Sequence, residues 1–250
     1  MTEHYLITGA GSGIGRAIAL RLYSQGALLT LVGRRIHALY ETARDMERSR
    51  VQIHSVDIQD QMAMKDMCRE AAKKSLFRGV IANAGIGGSN ESGENDRFDE
   101  LIRTNLMGTY YTLRAVEPYL CMDDKLSHMV VVASCLARFG VPGYTGYCAS
   151  KAGLLGLVRA LALELSPNTQ VNALCPGWVD TQMARDGIAG MAQGMGISYE
   201  EAYQQAMSMV PLGRMSKPEE IAGSISWLIG PDAWGMTGQG IDINAGSWMG

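Results

Sequence analysis

The sequence Thr8-Gly-Ala-Gly-Ser-Gly-Ile-Gly15 decides the fold, because it follows a short apolar run, Tyr5–Thr8, and opens a helical pattern. Glycines between a strand and a helix let the backbone approach a phosphate closely, while the helix N-terminus offers free N–H groups and a positive dipole end. Gly9, Gly13 and Gly15 have the spacing T-G-x-x-x-G-x-G in this strand–turn–helix context. The stretch therefore predicts a dinucleotide-binding turn, against the alternative of a simple tight turn.

Short apolar runs and longer helical patterns alternate along the rest of the chain. We predict strands at Tyr5–Thr8, Leu28–Val32, Val51–Ser55, Gly79–Ala82, Ser127–Ala133, Gln170–Leu174 and Gly240–Ile243. We predict helices at Ile14–Gln25, Ile36–Arg48, Gln61–Lys73, Phe98–Met122 (interrupted or ended near Pro118), Tyr147–Leu165, and from a capping box at Ser216-Lys-Pro-Glu219 to Ile229. Such alternation is typical of an α/β fold, here a Rossmann-type doubly wound parallel sheet with helices on both faces. Nothing resembling a linker divides residues 1–250, so we expect a single domain.

The composition excludes several classes of protein. Glycine accounts for 30 of the 250 residues, but it has no period of three and proline numbers only 7, which excludes collagen. A hydrophobic fraction of 47% with 19% charged residues can bury a core, which argues against disorder. The net charge of −3 argues against nucleic acid or an anionic membrane as a partner.

Cysteines and histidines give no sign of a disulfide framework or a metal site. The 5 cysteines form no CxxC pair, and the 4 histidines are scattered along the chain. The N-terminal residues run directly into a strand, leaving no room for a signal peptide, and the longest apolar runs are too short to span a bilayer. We therefore expect a cytoplasmic protein with reduced thiols and no bound metal.

The end of the second predicted strand bears on the choice of cofactor. In dinucleotide-binding folds of this kind an acidic residue here would bind the ribose 2′-hydroxyl of NAD. The chain has Gly33 instead, followed by Arg34 and Arg35. A small residue leaves room for a 2′-phosphate, and a guanidinium can pair with it. This favours NADP(H), with NAD(H) possible if the two arginines are ordinary solvated residues at a helix entrance.

Three side chains form a candidate catalytic group. Tyr147 and Lys151 are four residues apart at the start of a predicted helix, which puts them on one face. An ammonium near a phenol favours the phenolate and lowers a pKa that is about 10 when unperturbed, as a general acid/base near neutral pH requires. Ser134 lies just past the strand Ser127–Ala133, where its hydroxyl could hold a substrate oxygen. The alternative is that Tyr147 and Lys151 are a surface pair.

With these motifs the chain resembles the short-chain dehydrogenase/reductase family over essentially its whole length. Thr8–Gly15 resembles the cofactor motif of that family, and Asn83-Ala84-Gly85 matches its Asn-Ala-Gly signature after the fourth strand. The catalytic tetrad of the family is matched by Asn105, Ser134, Tyr147 and Lys151. Two positions depart from the pattern: Ala82, where a second asparagine is common, and Ser12, where NADP-preferring members often carry a basic residue.

The resemblance implies a role for each matched residue. Tyr147 would be the general acid/base, Ser134 would orient and polarise the carbonyl oxygen, and Lys151 would lower the pKa of Tyr147 and bind the nicotinamide ribose. Asn105 would hold a water of a proton relay through its local backbone. Besides Arg34, Arg35, Tyr147 and Lys151, the expected cofactor contacts are Gly9, Ser12, Gly13, Ile14, Gly15, Asp57, Ile58, Asn83, Ala84, Gly85, Pro176, Gly177, Val179 and Thr181. The resemblance also implies a homotetramer.

Residues 182–212 are the longest stretch without a predicted element. Met183–Met209 holds five methionines and several glycines, which suits a mobile apolar cover over a substrate. The alternative is a pair of amphipathic helices packed on the body. In the short-chain dehydrogenase/reductase family, which the chain resembles, the equivalent segment often covers the substrate. The stretch from Tyr199 to Arg214 is also similar to the corresponding part of ketoreductases that act on polyketide or acyl chains. We therefore expect a ketone or alcohol substrate with an apolar portion.

These observations predict an oxidoreductase that interconverts a secondary alcohol and a ketone with NADP(H), with Tyr147 as general acid/base. One alternative is an NAD-dependent secondary-alcohol dehydrogenase of catabolism. Another is a non-catalytic dinucleotide-binding protein on the same fold, although such a protein has no chemical reason to keep an intact tetrad.

Overall fold

A single parallel sheet of seven strands organises the chain, for which a computed structural model describes residues 2–250. The strands are β1 His4–Thr8, β2 Leu28–Gly33, β3 Val51–Ser55, β4 Gly79–Ala82, β5 Ser127–Val132, β6 Thr169–Pro176 and β7 Gly240–Ile243. Their order across the sheet is β3-β2-β1-β4-β5-β6-β7, and every neighbouring pair is parallel. The doubly wound fold predicted from the sequence is confirmed, and β3, β4 and β7 have the predicted bounds.

Helices cover both faces of the sheet. They are α1 Gly13–Ser24, α2 Ile36–Thr42, α3 Gln61–Ala72, α4 Phe98–Leu101, α5 Gly108–Val116, α6 Thr145–Glu164, α7 Gln182–Met195, α8 Tyr199–Ser208 and α9 Pro218–Leu228. Side chains alternate across a strand, so Leu6 of β1 joins a core beneath α3, α5 and α6, while Ile7 joins a core beneath α1, α2 and α9. Because both faces are buried, the central strands are mostly apolar on both faces instead of alternating, with a few buried polar side chains such as Gln170 and Asn172.

Most helix boundaries differ from the prediction by one or two residues, and two differences have a clear physical cause. Helix α2 ends at Thr42 instead of Arg48, because Met46 turns inward to a buried position and the Glu47 N–H donates to the Tyr23 hydroxyl at 2.9 Å. The predicted cap of the last helix is also wrong. Lys217 is the N-cap of α9, and its N–H donates to Glu220 Oε2 at 2.6 Å, whereas the Ser216 N–H donates to the Trp178 carbonyl.

The predicted long helix from Phe98 is present but irregular. Between α4 and α5, residues Ile102–Met107 form a π-helical segment, and after α5 a 3₁₀ turn, Glu117–Tyr119, ends the helix at Pro118 as predicted. A π segment is rare and is frequent at functional sites, where the extra residue per turn shifts a side chain out of register. Here the segment contains Asn105.

Residues 182–212, unplaced by sequence reasoning, form the helical pair α7 and α8. Helix α7 is capped by Thr181 and ends at Gly196, which has a left-handed backbone. The two helices pack around a small core of their own, which is separate from the two cores beside the sheet. Across residues 2–250, no helix has both the length and the apolar character needed to cross a bilayer.

Candidate active site

The glycine turn between β1 and α1 is the first part of the site. Gly9 and Gly13 have positive φ angles of 67° and 51°, which residues with a Cβ rarely adopt. A Cβ on Gly15 would collide with the carbonyl oxygen of Gly9 and would lie 2.6 Å from Asn83 Nδ2. Both constraints explain the glycine spacing, and they leave an open cradle at the N-terminus of α1.

The Asn-Ala-Gly sequence after β4 holds this turn in place. The N–H groups of Asn83 and Ala84 both donate to the Thr8 hydroxyl at 3.1 Å, and Asn83 Nδ2 donates to the Thr8 carbonyl at 3.0 Å. These bonds join the carboxyl ends of β1 and β4, where the strand order reverses. Open α/β sheets bind their ligands at this reversal.

The arrangement fits a dinucleotide phosphate. Ser12, the N-cap of α1, makes no side-chain capping bond to any described residue, so the first-turn N–H groups remain available to an anion. The Arg35 guanidinium reaches the same turn and donates to the Ser12 hydroxyl at 3.3 Å. Arg34 instead lies 3.8 Å from the Asp57 carboxylate, with both side chains well exposed. The two arginines therefore point to different parts of the site.

We expect Gly15→Ala to weaken NADPH binding by at least about 100-fold, which corresponds to about 3 kcal/mol. The added Cβ would meet the backbone of Gly9, which cannot yield as a flexible side chain would. Fluorescence titration with NADPH measures the effect. Gly235→Ala is the matched control, since a Cβ there would meet no atom within 4 Å. Equal NADPH affinity in Gly15→Ala and Gly235→Ala would contradict the assignment of this turn as the phosphate-binding cradle.

Several other expected cofactor residues lie around this cradle. A Cβ on Gly13 would lie 3.0 Å from the Thr181 methyl group, so the start of α7 closes over the turn. The Ile58 and Val179 side chains are each 5% exposed and belong to the cores, which leaves only their backbone groups for a ligand. Gly177 lies against the backbone of Asn244 beside the end of β6.

Tyr147 and Ser134 meet at the end of β5. The Ser134 hydroxyl lies close enough to the Tyr147 phenol to act on its pKa, and the Leu136 N–H donates to Ser134 Oγ at 3.1 Å. Although Tyr147 as a whole is only partly buried, burial around its phenol raises its pKa to about 12, and the neighbouring Ser134 hydroxyl acts the other way. In the chain alone the pKa of Tyr147 is thus raised, in contrast to the lowering expected from Lys151.

Lys151 lies beneath Tyr147 and is almost fully buried. Its Nζ donates to the Val132 carbonyl at 3.0 Å and lies 5.7 Å from the centre of the Tyr147 ring. Burial lowers the pKa of Lys151 to about 8. A Cβ on Gly85 would lie 3.6 Å from this Nζ, so the Asn-Ala-Gly loop borders the ammonium group directly.

Asn105 is fully buried and acts through its side chain. Its Oδ1 accepts the Ile86 N–H at 2.8 Å, and its Nδ2 donates to the Ile86 carbonyl at 3.0 Å and to Ser150 Oγ at 3.2 Å. The Asn105 carbonyl, expected to hold a water, accepts the Thr109 hydroxyl at 2.7 Å. Asn105 thereby fixes the loop after β4.

Ser150 is a site residue that sequence reasoning missed. Its hydroxyl donates to the Tyr147 carbonyl at 2.8 Å while it accepts from Asn105, so it joins the π segment to α6. The sequence could have identified Ser150 by its position three residues after Tyr147, because this spacing places the serine on the buried face of the helix. Across the described part of the chain, no group of three or more His, Cys, Asp or Glu side chains is placed to hold a metal ion.

Comparison with known proteins agrees with this geometry. A family model described as "Enoyl-(Acyl carrier protein) reductase" matches residues 9–247. The chain is 31% identical to a 3-oxoacyl-[acyl-carrier-protein] reductase FabG of Aggregatibacter actinomycetemcomitans, over 98% of this chain and 99% of that protein. It is 32% identical to a putative ketoacyl reductase of the granaticin polyketide synthase of Streptomyces violaceoruber, over 96% and 91% of the two chains.

Solved structures give the same result. An actinorhodin polyketide ketoreductase variant with NADPH superimposes with a TM-score of 0.92 at 30% identity, covering 98% of this chain and 97% of the other. A 3-ketoacyl-(acyl-carrier-protein) reductase of Brucella melitensis complexed with NADH gives a TM-score of 0.87 at 25% identity, covering 99% and 98%. Since the family model matches residues 9–247 and relatives more than 30% identical are matched over nearly their whole length, this chain belongs to the short-chain dehydrogenase/reductase family.

Proposed function

We propose that this protein is a ketoreductase that interconverts a ketone and a secondary alcohol with NADP(H). The observation that carries the proposal is the placement of the Ser134 hydroxyl beside the Tyr147 phenol, with the Lys151 ammonium beneath the ring. This group lies at the same sheet edge as the phosphate cradle. A bound nicotinamide would supply or accept the hydride, and the protein would manage the proton and the geometry.

Tyr147 moves the proton in this proposal. During reduction its hydroxyl gives a proton to the oxygen of the substrate, and during oxidation its phenolate removes the proton of the alcohol. Because burial raises the pKa of Tyr147 to about 12, the chain alone keeps the proton-donating form at neutral pH. This is the form that ketone reduction requires.

Ser134 and Lys151 prepare that step. The Ser134 hydroxyl is held by the Leu136 N–H, which leaves its own proton free to bond the oxygen of the carbonyl and polarise it. The Lys151 ammonium stabilises negative charge on Tyr147 and is placed beside Gly85 to bind a ribose hydroxyl. Asn105 and Ser150 keep the loop after β4 and the first turn of α6 in a fixed relation.

Arg35 is the residue we propose to select NADP(H). Its guanidinium lies at the phosphate turn, next to Ser12, and Gly33 leaves space beside it. Arg34 is paired with Asp57 and is the lesser contributor. The 2′-phosphate would add a charge-assisted hydrogen bond that NAD cannot make.

We expect Arg35→Ala to lower kcat/KM for NADPH by about 10- to 100-fold, the equivalent of one lost charged hydrogen bond. The kcat/KM for NADH should stay unchanged, because NADH has no 2′-phosphate. Steady-state kinetics with both cofactors and one ketone measure the ratio. Arg34→Ala serves as the comparison and should have the smaller effect. Equal losses with both cofactors, or a strong NADH preference in the natural protein, would refute this assignment.

We infer that the substrate carries an apolar chain and that α7 and α8 cover it. Several relatives are named as reductases of 3-oxoacyl or polyketide ketones. Met183 at the start of α7 packs against Gly87 of the loop after β4, so the helical pair crosses the mouth of the site. Its separate core allows it to move as a unit. We further propose a single domain over residues 1–250, a homotetramer and a cytoplasmic location, on the family resemblance.

A second candidate is reduction of a carbon–carbon double bond, because the matching family model is described as an enoyl reductase. The Ser134–Tyr147 pair favours the ketone, since it offers two hydroxyls to one oxygen at the reacting carbon. An assay of β-ketoacyl thioesters, simple ketones and an enoyl thioester with NADPH and NADH tests the proposal. Turnover of the ketones supports it. Turnover of the enoyl thioester alone, or of no substrate although NADPH binds, would overturn it.

A further inference from the structure

Asn90 is a buried polar residue in an otherwise exposed loop. The residues that follow it, Glu91–Asp96, are all exposed, yet Asn90 is only 7% exposed. Burial of an amide is unfavourable unless its donors and acceptor are bonded. The hydrogen-bond partners of Asn90 therefore indicate the role of its side chain.

Both side-chain polar atoms of Asn90 and its backbone N–H have protein partners. The Gly146 N–H donates to Asn90 Oδ1 at 2.8 Å, and Asn90 Nδ2 donates to Thr145 Oγ1 at 2.8 Å and to Asp96 Oδ1 at 3.0 Å. The backbone N–H of Asn90 donates to the Gly143 carbonyl at 2.8 Å. Three of the four partners lie in the segment that leads directly into Tyr147.

These bonds cap helix α6 from outside the helix. The first-turn N–H groups of a helix need acceptors, and the N-cap side chain usually supplies one. In α6 the N-cap is Tyr144, which makes no side-chain cap to any residue from 2 to 250. Asn90 Oδ1 takes that place and accepts the N–H of Gly146, the residue immediately before Tyr147.

The same network fastens the start of α6 to α4. A Cβ on Gly146 would lie 3.1 Å from Phe98 Cα, so the two helix starts are in close contact. Asp96 Oδ1 accepts the Phe98 N–H at 2.9 Å while it accepts from Asn90, and so caps α4. One pair of side chains thus fixes the origins of the segments that carry Asn105 and Tyr147.

We propose that Asn90 is a positioning residue that sets the first turn of α6, and with it the Tyr147 hydroxyl, relative to Ser134 and the substrate. This inference rests on the proposed ketoreductase function. Asn90→Ala should lower kcat by about 10- to 100-fold, because a displacement of about 1 Å at a reacting group costs rates of this order. NADPH affinity should be unchanged, because Asn90 has no part in the phosphate cradle.

An exchange of Asn90 and Asp96 provides the rescue experiment. Asn90→Asp alone loses the donor to Asp96 and sets two carboxylates side by side, so kcat should fall as in Asn90→Ala. Adding Asp96→Asn removes the repulsion between the two carboxylates. The oxygen of the amide introduced at position 96 can still accept the Phe98 N–H while its nitrogen donates to the carboxylate at position 90, which still accepts the Gly146 N–H. The double variant should recover most of kcat. Asn95→Ala, exposed in the same loop, is the control.

The outcomes separate positioning from general stability. If Asn90→Ala has the same kcat as the natural protein, the proposal is overturned. It is also overturned if kcat and NADPH affinity fall together and the double variant with Asn90→Asp and Asp96→Asn does not recover kcat. If the natural protein reduces no ketone, the proposed function fails, and amide hydrogen exchange of residues 145–151 decides this inference by itself. Exchange that is faster in Asn90→Ala but not in Asn95→Ala supports the external cap, and unchanged exchange overturns it.

Discussion

Replacing Tyr147 with phenylalanine should reduce kcat and kcat/KM by about 100- to 10,000-fold, the range that general acid/base catalysis contributes. Phenylalanine keeps the ring that packs over Lys151 but removes the group that exchanges a proton with the substrate oxygen. Since the loss concerns the transition state, kcat and kcat/KM should fall together. Single-turnover assays of ketone reduction with NADPH, at high enzyme concentration, measure the residual rate.

The Tyr147→Phe variant should bind NADPH within a few-fold of the natural protein, because the cradle of Gly9, Gly13 and Gly15 is untouched. The melting temperature should hold as well, since Ser134 retains its bond from the Leu136 N–H. Tyr40→Phe, which removes a hydroxyl at an exposed position, is the matched control and should be fully active. Retention of turnover in Tyr147→Phe would remove the basis of the proposed function.

The sequence predicts the sheet better than it predicts what covers the sheet. Strands such as Gly79–Ala82 are short apolar runs between glycine or polar residues, and both faces bury them, so pattern and structure agree. Helix α2 ends early because of a tertiary contact between Tyr23 and Glu47, and such a contact leaves no local signal. Helix α7 contains three interior glycines, which hide its helical pattern, although Thr181 caps it.

The site is predictable where spacing carries the chemistry and unpredictable where partners come from distant segments. The glycine turn, and Tyr147 four residues before Lys151, follow from local geometry. The cap from Asn90 joins residues 56 positions apart, and the Asn105–Ser150 bond spans 45 positions. The raised pKa of Tyr147 likewise arises from packing that only the folded chain provides.

Replacing Lys151 with methionine should lower the rate of alcohol oxidation at neutral pH by about 10- to 1,000-fold. A nearby opposite charge lowers the pKa of an acid by about 1 to 3 units, and each unit of pKa changes the phenolate fraction tenfold. Without the ammonium, the pKa of Tyr147 rises and less phenolate is present at a given pH. The rise of kcat/KM with pH should therefore move to higher pH by the same 1 to 3 units.

The pH dependence distinguishes this role of Lys151 from a packing role. Burial lowers the pKa of Lys151 itself to about 8, so its positive charge is present below that pH and is lost as the pH rises through it. The ratio of natural to Lys151→Met activity should consequently shrink above about pH 8, toward the smaller effect of the lost ribose contact. Stability should change little, because methionine fills a similar volume and removes a buried charge, which offsets the lost bond to the Val132 carbonyl. Lys65→Met, at an exposed position of α3, is the control. A constant ratio across pH 6 to 10 would show that Lys151 acts without its charge, and the electrostatic role would have to be abandoned.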